Sequence, residues 1–376
     1  MINVLELKDK LPTATWCPQI LTGIAIQSKG VTPCCEFAVS GVPAQSVKEY
    51  KESHEYKNLL KNMNNGIWSK GCYVCEQKEK QGLVSQRLTE VKTQLSQLGI
   101  HNRVEIEPFY EIYNKNQYLW VNVQPSNKCN LACIMCWPGS SSTIFEEVEK
   151  YGEKHWKNND VKLHNYNNFA SIANHRHPKG RIYLSGGEPS MMNDVIKYLD
   201  SIPNPEEIKL SLNSNFQLFN KRFWKILQKF KNLYIMASVD GIGKRAEYIR
   251  YHSNWKQVEY NILKTRELLP TAFVTVTPCW TMVNIWYANE VADWCKNNNL
   301  TLSIDNVAMK HSWSVINCFD SYKEQLMSIF KNSYFPKYDV DTKQIISADI
   351  SGVISIIKNA TFTKKQFYKF VTCHPI

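Results

Sequence analysis

From about residue 101 the chain alternates short apolar runs with amphipathic stretches. Strand-like runs lie at 118–124, 181–185, 208–213, 233–239, 272–278 and 301–306. Helix-like stretches fall between them, near 141–153, 190–201, 219–229, 254–268 and 285–298. This alternation predicts an α/β fold with a parallel sheet and right-handed crossovers. Six units fall short of a full eight-unit barrel. A polar insert at 154–180, rich in Asn and carrying His175 and His177, is expected as a loop or short helices with exposed histidines.

The first hundred residues read differently. Leu21 to Cys35 predicts a β-hairpin: Ile24–Ile26, a turn ending at Gly30, and a return from Val31 to Cys34. A helix follows, with Ser46 and Glu49 as a capping box and Asn65-Gly66 as its stop. Residues 76–98 form a connecting helix whose stripe is Val84, Leu88, Val91, Leu95 and Leu98, closed by Gly99. The Lys-rich tail, 312–376, is expected to be largely helical, its many aromatics closing the open side of the sheet.

Composition narrows the chemistry. The 376 residues carry a net charge of +11. The first hundred hold 12 Lys and Arg against 9 Asp and Glu, so the excess is diffuse. That suits an anionic ligand. No basic stripe or RNA-binding signature supports nucleic acid. The N-terminus lacks a signal-peptide pattern, and no run reaches the ~18 apolar residues of a membrane span, so a cytoplasmic protein is expected. In that compartment 12 cysteines point to metal or catalysis rather than disulfides.

Three of them, Cys129, Cys133 and Cys136, stand at C-x3-C-x2-C spacing just after the first strand. Three thiolates on one loop can converge on one centre; buried thiols or a zinc site are the alternatives. The spacing resembles the cluster motif of the radical S-adenosylmethionine (SAM) superfamily. The resemblance implies a partial (β/α)6 TIM-like barrel and a [4Fe–4S] cluster whose free iron binds SAM. It also implies reductive cleavage of SAM to a 5′-deoxyadenosyl radical that abstracts a hydrogen atom. Gly186-Gly187-Glu188-Pro189, at the end of the second strand, resembles the family's Gly-Gly-Glu-Pro motif and implies contact with the SAM amino group. Asn213 ends the third strand, where relatives often carry a Thr-Asn-Gly-like turn. Ser238 and Asp240 share a face at the end of the fourth, which by resemblance meets the SAM ribose. Arg250 resembles the arginine that pairs with the SAM carboxylate. Cys279, ending the fifth strand, is a candidate hydrogen-atom donor or substrate contact, with a plain buried cysteine as the alternative; Asn284 and Asp305 are weaker pocket candidates. One departure is Met135, which stands where the family usually has an aromatic residue, with Trp137 one place late. Gly241-Ile-Gly243 lacks the third glycine of a dinucleotide fingerprint.

Cys17, Cys34 or Cys35, Cys72 and Cys75 offer a second four-thiolate set. The hairpin's Gly30-Val-Thr-Pro-Cys34, the helix, and Trp68 followed by a Cys-x-x-Cys pair resemble the auxiliary-cluster "twitch" module, a short relative of SPASM. The resemblance implies a second [4Fe–4S] cluster and favours Cys34; a four-cysteine zinc site is the alternative. Relatives usually carry this module after the barrel, whereas here it precedes it. The expected organisation is a cluster module at 1–99, a barrel at 100–311 and an extension at 312–376. The expected partners are a peptide or protein substrate, or else a small molecule or nucleotide derivative, and a reductase or flavodoxin-like electron donor. A non-catalytic zinc or Fe–S binding protein is the rival of another class. Cys295, Cys318 and Cys373 are unassigned.

Overall fold

The computed structural model describes residues 6–80, 84–101, 103–151, 169–304, 320–332, 336–339 and 344–347. Asp305, Cys318 and Cys373 lie outside them. Its strands are β1 (Gly23–Gln27), β2 (Gly30–Thr32), β3 (Tyr118–Gln124), β4 (Ala132–Cys133), β5 (Arg176–Leu184) and β6 (Lys209–Ser214). They continue as β7 (Asn232–Ala237), β8 (Arg250–Tyr251), β9 (Phe273–Val276), β10 (Thr301–Leu302), β11 (Pro336–Asp339) and β12 (Gln344–Ser347). Eight form one mostly parallel sheet in the order β10-β9-β7-β6-β5-β3-β1-β2. That is the α/β architecture expected from the alternation of runs. Among the described residues no helix is long and apolar enough to cross a membrane.

The chain divides into two compact units. The first comprises Met1–Asn127, Asn159–Ser211 and Lys229–Asn232. Here β1 pairs antiparallel with β2 and parallel with β3, from Gly23↔Trp120 to Gln27↔Gln124. The expected N-terminal segment 1–99 is therefore joined to the first barrel strand by backbone hydrogen bonds. Strand β3 is buried at all seven positions, as a parallel strand covered on both faces should be. It pairs with β5 after an irregularity: Tyr118 faces Arg176, but Trp120 faces Arg181. Residues expected in the polar insert thus open a strand, and exposed His175 sits just before it with Nδ1 2.9 Å from Asn116 O.

Two helix expectations need correction. The stretch after the hairpin is two helices, Val47–Glu52 and His54–Asn64. Ser53 breaks them with an extended backbone (φ −61°, ψ 148°) and caps the second by accepting from Tyr56 N. Ser46 caps the first, but Glu49 reaches back to Gln45 N instead of closing the box on Ser46. The connecting stretch is also divided, into Tyr73–Lys80 and Gln86–Leu98. Val84 precedes the second helix and is exposed. Leu88, Val91 and Leu95 are buried, and Gly99 caps the end at φ +85°.

The second unit comprises Lys128–Asn158, Leu212–Gln228 and Leu233–Ile376. Strands β7, β9 and β10 pair in parallel. Asn220 and Asn254 cap the helices Lys221–Leu227 and Trp255–Leu268 by accepting from Phe223 N and Gln257 N. The expected helical tail is only partly so: after the helix Asp320–Asn332, β11 and β12 form an antiparallel hairpin. From that helix Phe330 is fully buried and meets Trp280 edge-on, ring centres 6.4 Å apart.

Candidate active site

In the second unit, the loop carrying Cys129, Cys133 and Cys136 is pinned from both sides. Cys129 N donates to Ser142 Oγ at 3.1 Å, while Ser142 and Thr143 hydroxyls donate to Cys129 O at 3.0 and 2.8 Å. Ser141 Oγ donates to Leu131 O at 2.6 Å. These residues begin the helix Ser142–Tyr151. On the other side β4 pairs antiparallel with β8, setting Cys133 opposite Arg250, and Ile134 N donates to Ile249 O. A turn from Cys136 N to Cys133 O at 2.9 Å closes the loop.

The three sulfurs influence one another. Burial pushes the Cys133 thiol up to about 11, the neighbouring Cys129 adding to it and Arg250 opposing. Burial pushes Cys136 up to about 12, reinforced by Cys133 and Cys129. Without a metal Cys133 and Cys136 are thiols at neutral pH; a bound metal draws thiols off as thiolates.

Strand ends supply the surroundings. Past β6, Asn215 Nδ2 donates to Asn130 Oδ1 at 2.9 Å and to Cys129 Sγ at 3.9 Å. Arg250 Nη1 donates to Cys133 Sγ at 3.8 Å. Arg250 Nε stands 2.7 Å from Asp240 Oδ2, an ion pair off the line of a good hydrogen bond. Asp240 is fully buried, and its Oδ1 accepts from Cys279 N at 2.6 Å. Burial raises its carboxyl, with Arg250 as the main opposing influence. Asn284 Nδ2 donates to Asp240 O and Cys279 O, both at 3.1 Å. The pocket candidates Asp240, Cys279 and Asn284 therefore form one bonded corner with Arg250 and Cys133. Ser238 N donates to Ser214 O, leaving the Ser238 backbone part of the sheet. Asn213 Oδ1 and Thr277 Oγ1 are buried with no hydrogen-bond partner among the described residues. Asn215 belongs to the turn Asn213-Ser-Asn215 that closes the third strand in the sequence, and Thr277 to the end of the fifth; neither was singled out there as a site residue.

In the first unit, the turn after β5 carries Gly186 and Gly187 at φ +67° and +52°. A Cβ on Gly186 would lie 1.7 Å from Gln124 Cδ. Glu188 is buried, and its Oε1 accepts from Ser190 Oγ at 2.7 Å. Pro189 opens the 3-10 turn Pro189–Met191.

The same unit gathers the N-terminal cysteines. Cys17, Cys34, Cys72 and Cys75 line one cavity of about 30 Å³, with Arg87, Trp68 and Gly71. Cys35 is not on its wall. Burial raises all five thiols; Cys34 also feels Cys35 and then Cys75, Cys17 and Cys72, and Cys35 feels Glu36 and Glu90. Arg87 is buried behind them, donating through Nε to Glu79 Oε1 at 2.9 Å and through Nη1 to Trp16 O at 2.7 Å. A larger cleft, of about 460 Å³, shares Pro33, Trp68 and Gly71 with this cavity. Among the described residues no group of three or more His, Cys, Asp or Glu converges on the space of a single metal ion.

A model of the Radical SAM superfamily matches residues 123–295. No curated protein matches the chain. Among solved structures the chain is similar to Streptococcus suis SuiB bound to precursor peptide SuiA, at 15% identity and TM-score 0.38, over 70% of this chain and 58% of that one. It is also similar to native anSMEcpe with bound AdoMet, at 14% identity and TM-score 0.40, over 60% of this chain and 63% of that one. The chain thus spans less than two thirds of either structure. The superfamily's cofactors are a [4Fe–4S] cluster and SAM, and the donor set at Cys129, Cys133 and Cys136 fits such a cluster: three free, half-buried thiols on one fixed loop, two of them receiving N–H donors. From the family match, then, the chain carries a Radical SAM superfamily domain across residues 123–295.

Proposed function

We propose that this chain is a radical SAM enzyme that removes a hydrogen atom from a peptide or protein substrate. The observation that carries the reading is the doubly pinned loop, two of whose three cysteine sulfurs receive donors from neighbouring strand ends. Cys129, Cys133 and Cys136 would hold the [4Fe–4S] cluster, leaving one iron to SAM. When bound and reduced, cluster and SAM together supply a carbon radical able to attack an unactivated C–H bond. The chain's own work is to bind, orient and exclude water. In this reading Gly186 and Gly187 keep side chains out of the SAM-binding turn, and Glu188 and Pro189 shape it. Asn213, Ser238, Asp240 and Arg250 belong to the SAM side of the pocket, and Cys279 is the candidate that meets substrate. Cys17, Cys34, Cys72 and Cys75 would hold a second [4Fe–4S] cluster; the common cavity supports that set over one with Cys35. A reductase or flavodoxin-like protein would supply the electrons. Ten free cysteines among the described residues suit a reducing cytoplasm.

The peptide is argued from the likeness of the N-terminal cysteine set to twitch and SPASM modules. The adjoining cleft supports it, being open enough for a side chain and lined by Phe37, Tyr56, Leu59 and Trp68. A small-molecule or nucleotide-derived substrate is the second reading. The test is iron content together with 5′-deoxyadenosine formed from SAM and a strong reductant, on anaerobically reconstituted protein. About eight irons per chain is expected for two four-iron clusters. Product should vanish when Cys129, Cys133 and Cys136 become Ala. About four irons with product would turn the N-terminal site to zinc or bare thiols. Zinc throughout with no deoxyadenosine would overturn the enzyme and leave a binding protein.

A further inference from the structure

We propose that Arg250 and Asn215 are positioning residues for the cluster itself, donating N–H···S hydrogen bonds to Cys133 and Cys129 that make it easier to reduce. The inference rests on the cluster reading above and assigns these side chains to the sulfurs, not only to SAM.

Three observations carry it. First, the contacts are built by the fold. Arg250 stands opposite Cys133 in the β4–β8 ladder, so the register that places the cysteine also places the guanidinium. Its Nη1 lies 3.8 Å from Cys133 Sγ. Second, the guanidinium is held from behind. Asp240, fully buried, grips Nε at 2.7 Å and is itself held by Cys279 N. A cation so braced cannot swing away, and the carboxylate balances its charge, so what remains at the sulfur is an oriented donor. Third, Asn215 is fixed by two other bonds, Nδ2 to Asn130 Oδ1 at 2.9 Å and Oδ1 from Gln217 N at 2.9 Å, with Cys129 Sγ at 3.9 Å from the same Nδ2. Two of the three ligand sulfurs thus face side-chain donors that come from separate segments of the chain.

The physical consequence follows from charge. Reduction adds an electron whose density spreads onto the cysteine sulfurs. A donor aimed at a sulfur stabilises that added charge more than it stabilises the oxidised state, and hydrogen bonds to sulfur are one of the protein's levers on cluster potential. The charge-assisted bond from Arg250 should be the stronger of the two.

The experiment is a mediated redox titration, followed by electron paramagnetic resonance, of the reconstituted protein without SAM. To isolate one cluster it uses a background in which Cys17, Cys34, Cys72 and Cys75 are Ser. Arg250→Gln and Asn215→Ala are each expected to shift the midpoint to more negative potential, the arginine more. Arg250→Lys, which keeps a charged donor, should recover part of the shift. Variants with full iron and unchanged midpoints would overturn the proposal while leaving the cluster reading intact. A parent protein that takes up no iron at Cys129, Cys133 and Cys136 would overturn both. If Arg250→Gln does not load, Asn215→Ala carries the same test, since it removes a neutral group and leaves no buried charge behind.

Discussion

Asp240 shows how much rests on one side chain. It joins the ends of two strands, through Arg250 to the cysteine loop and through Cys279 N to the turn after β9. Removing one partner of a buried ion pair typically costs about 3–5 kcal/mol. Asp240→Ala should therefore lower stability by about that much in urea denaturation of the metal-free protein. Gly186→Ala is expected to be milder in stability and severe in function. At φ +67° a side chain is strained, and its Cβ would enter Gln124. We expect a loss of about 1–2 kcal/mol together with weakened SAM binding by calorimetry. The thiols give a pH dependence of definite sign. Cys133 and Cys136 are raised to about 11 and about 12 by burial, against roughly 8.5 in an unfolded chain. The unfolded state then loses its protons first as pH rises. The stability these groups confer is full below about pH 8.5 and is lost as pH climbs toward their folded values. The urea midpoint of metal-free protein should fall over that window, and Cys133→Ser with Cys136→Ser should flatten the fall.

At the level of elements, most of the order was legible because periodicity reports burial directly. Strand β3, the hairpin at Gly30 and the cap at Gly99 follow from local pattern and turn chemistry. The cysteine loop and the Gly186-Gly187 turn were legible as turns that follow apolar strands. What escaped depends on partners far along the chain. Ser53 ends one helix and begins another, yet nothing in a polar stretch distinguishes it from a solvent-facing residue. Ser53→Ala is expected to cost about 0.5–2 kcal/mol by thermal or urea denaturation, the value of a lost N-cap. The two-residue strand β8 is too short for any pattern, so the role of Arg250 beside Cys133 could not be read from spacing. The burial of Arg87 and Glu90 is likewise invisible locally. Arg87 is satisfied by Glu79 and Trp16, and Glu90 pairs with Arg181 of β5. The hairpin of β11 and β12 departs from the largely helical tail that the sequence predicts.

For the whole molecule, the parallel pairing of β1 with β3 carries the most weight. It lies across the boundary near residue 99 expected between the cysteine module and the barrel. A chain starting at residue 100 would leave β3, a strand buried at every position, with a bare edge, and exposed edges of that kind recruit other chains. We expect such a truncation to be insoluble, as judged by sedimentation of the expressed protein. The same pairing also dictates a timetable. Its paired positions, from Gly23 with Trp120 to Gln27 with Gln124, lie nearly a hundred residues apart, and pairings so distant in sequence form slowly. Cys17 sits at the entrance to the helix Pro18–Thr22 that leads into β1, and Cys34 follows β2. These thiols leave the ribosome early but gain their fixed positions late, after Gln124 has been synthesised. Assembly of an inorganic centre there would have to wait for the sheet, and pulse-labelled hydrogen exchange should find β1 protected no earlier than β3.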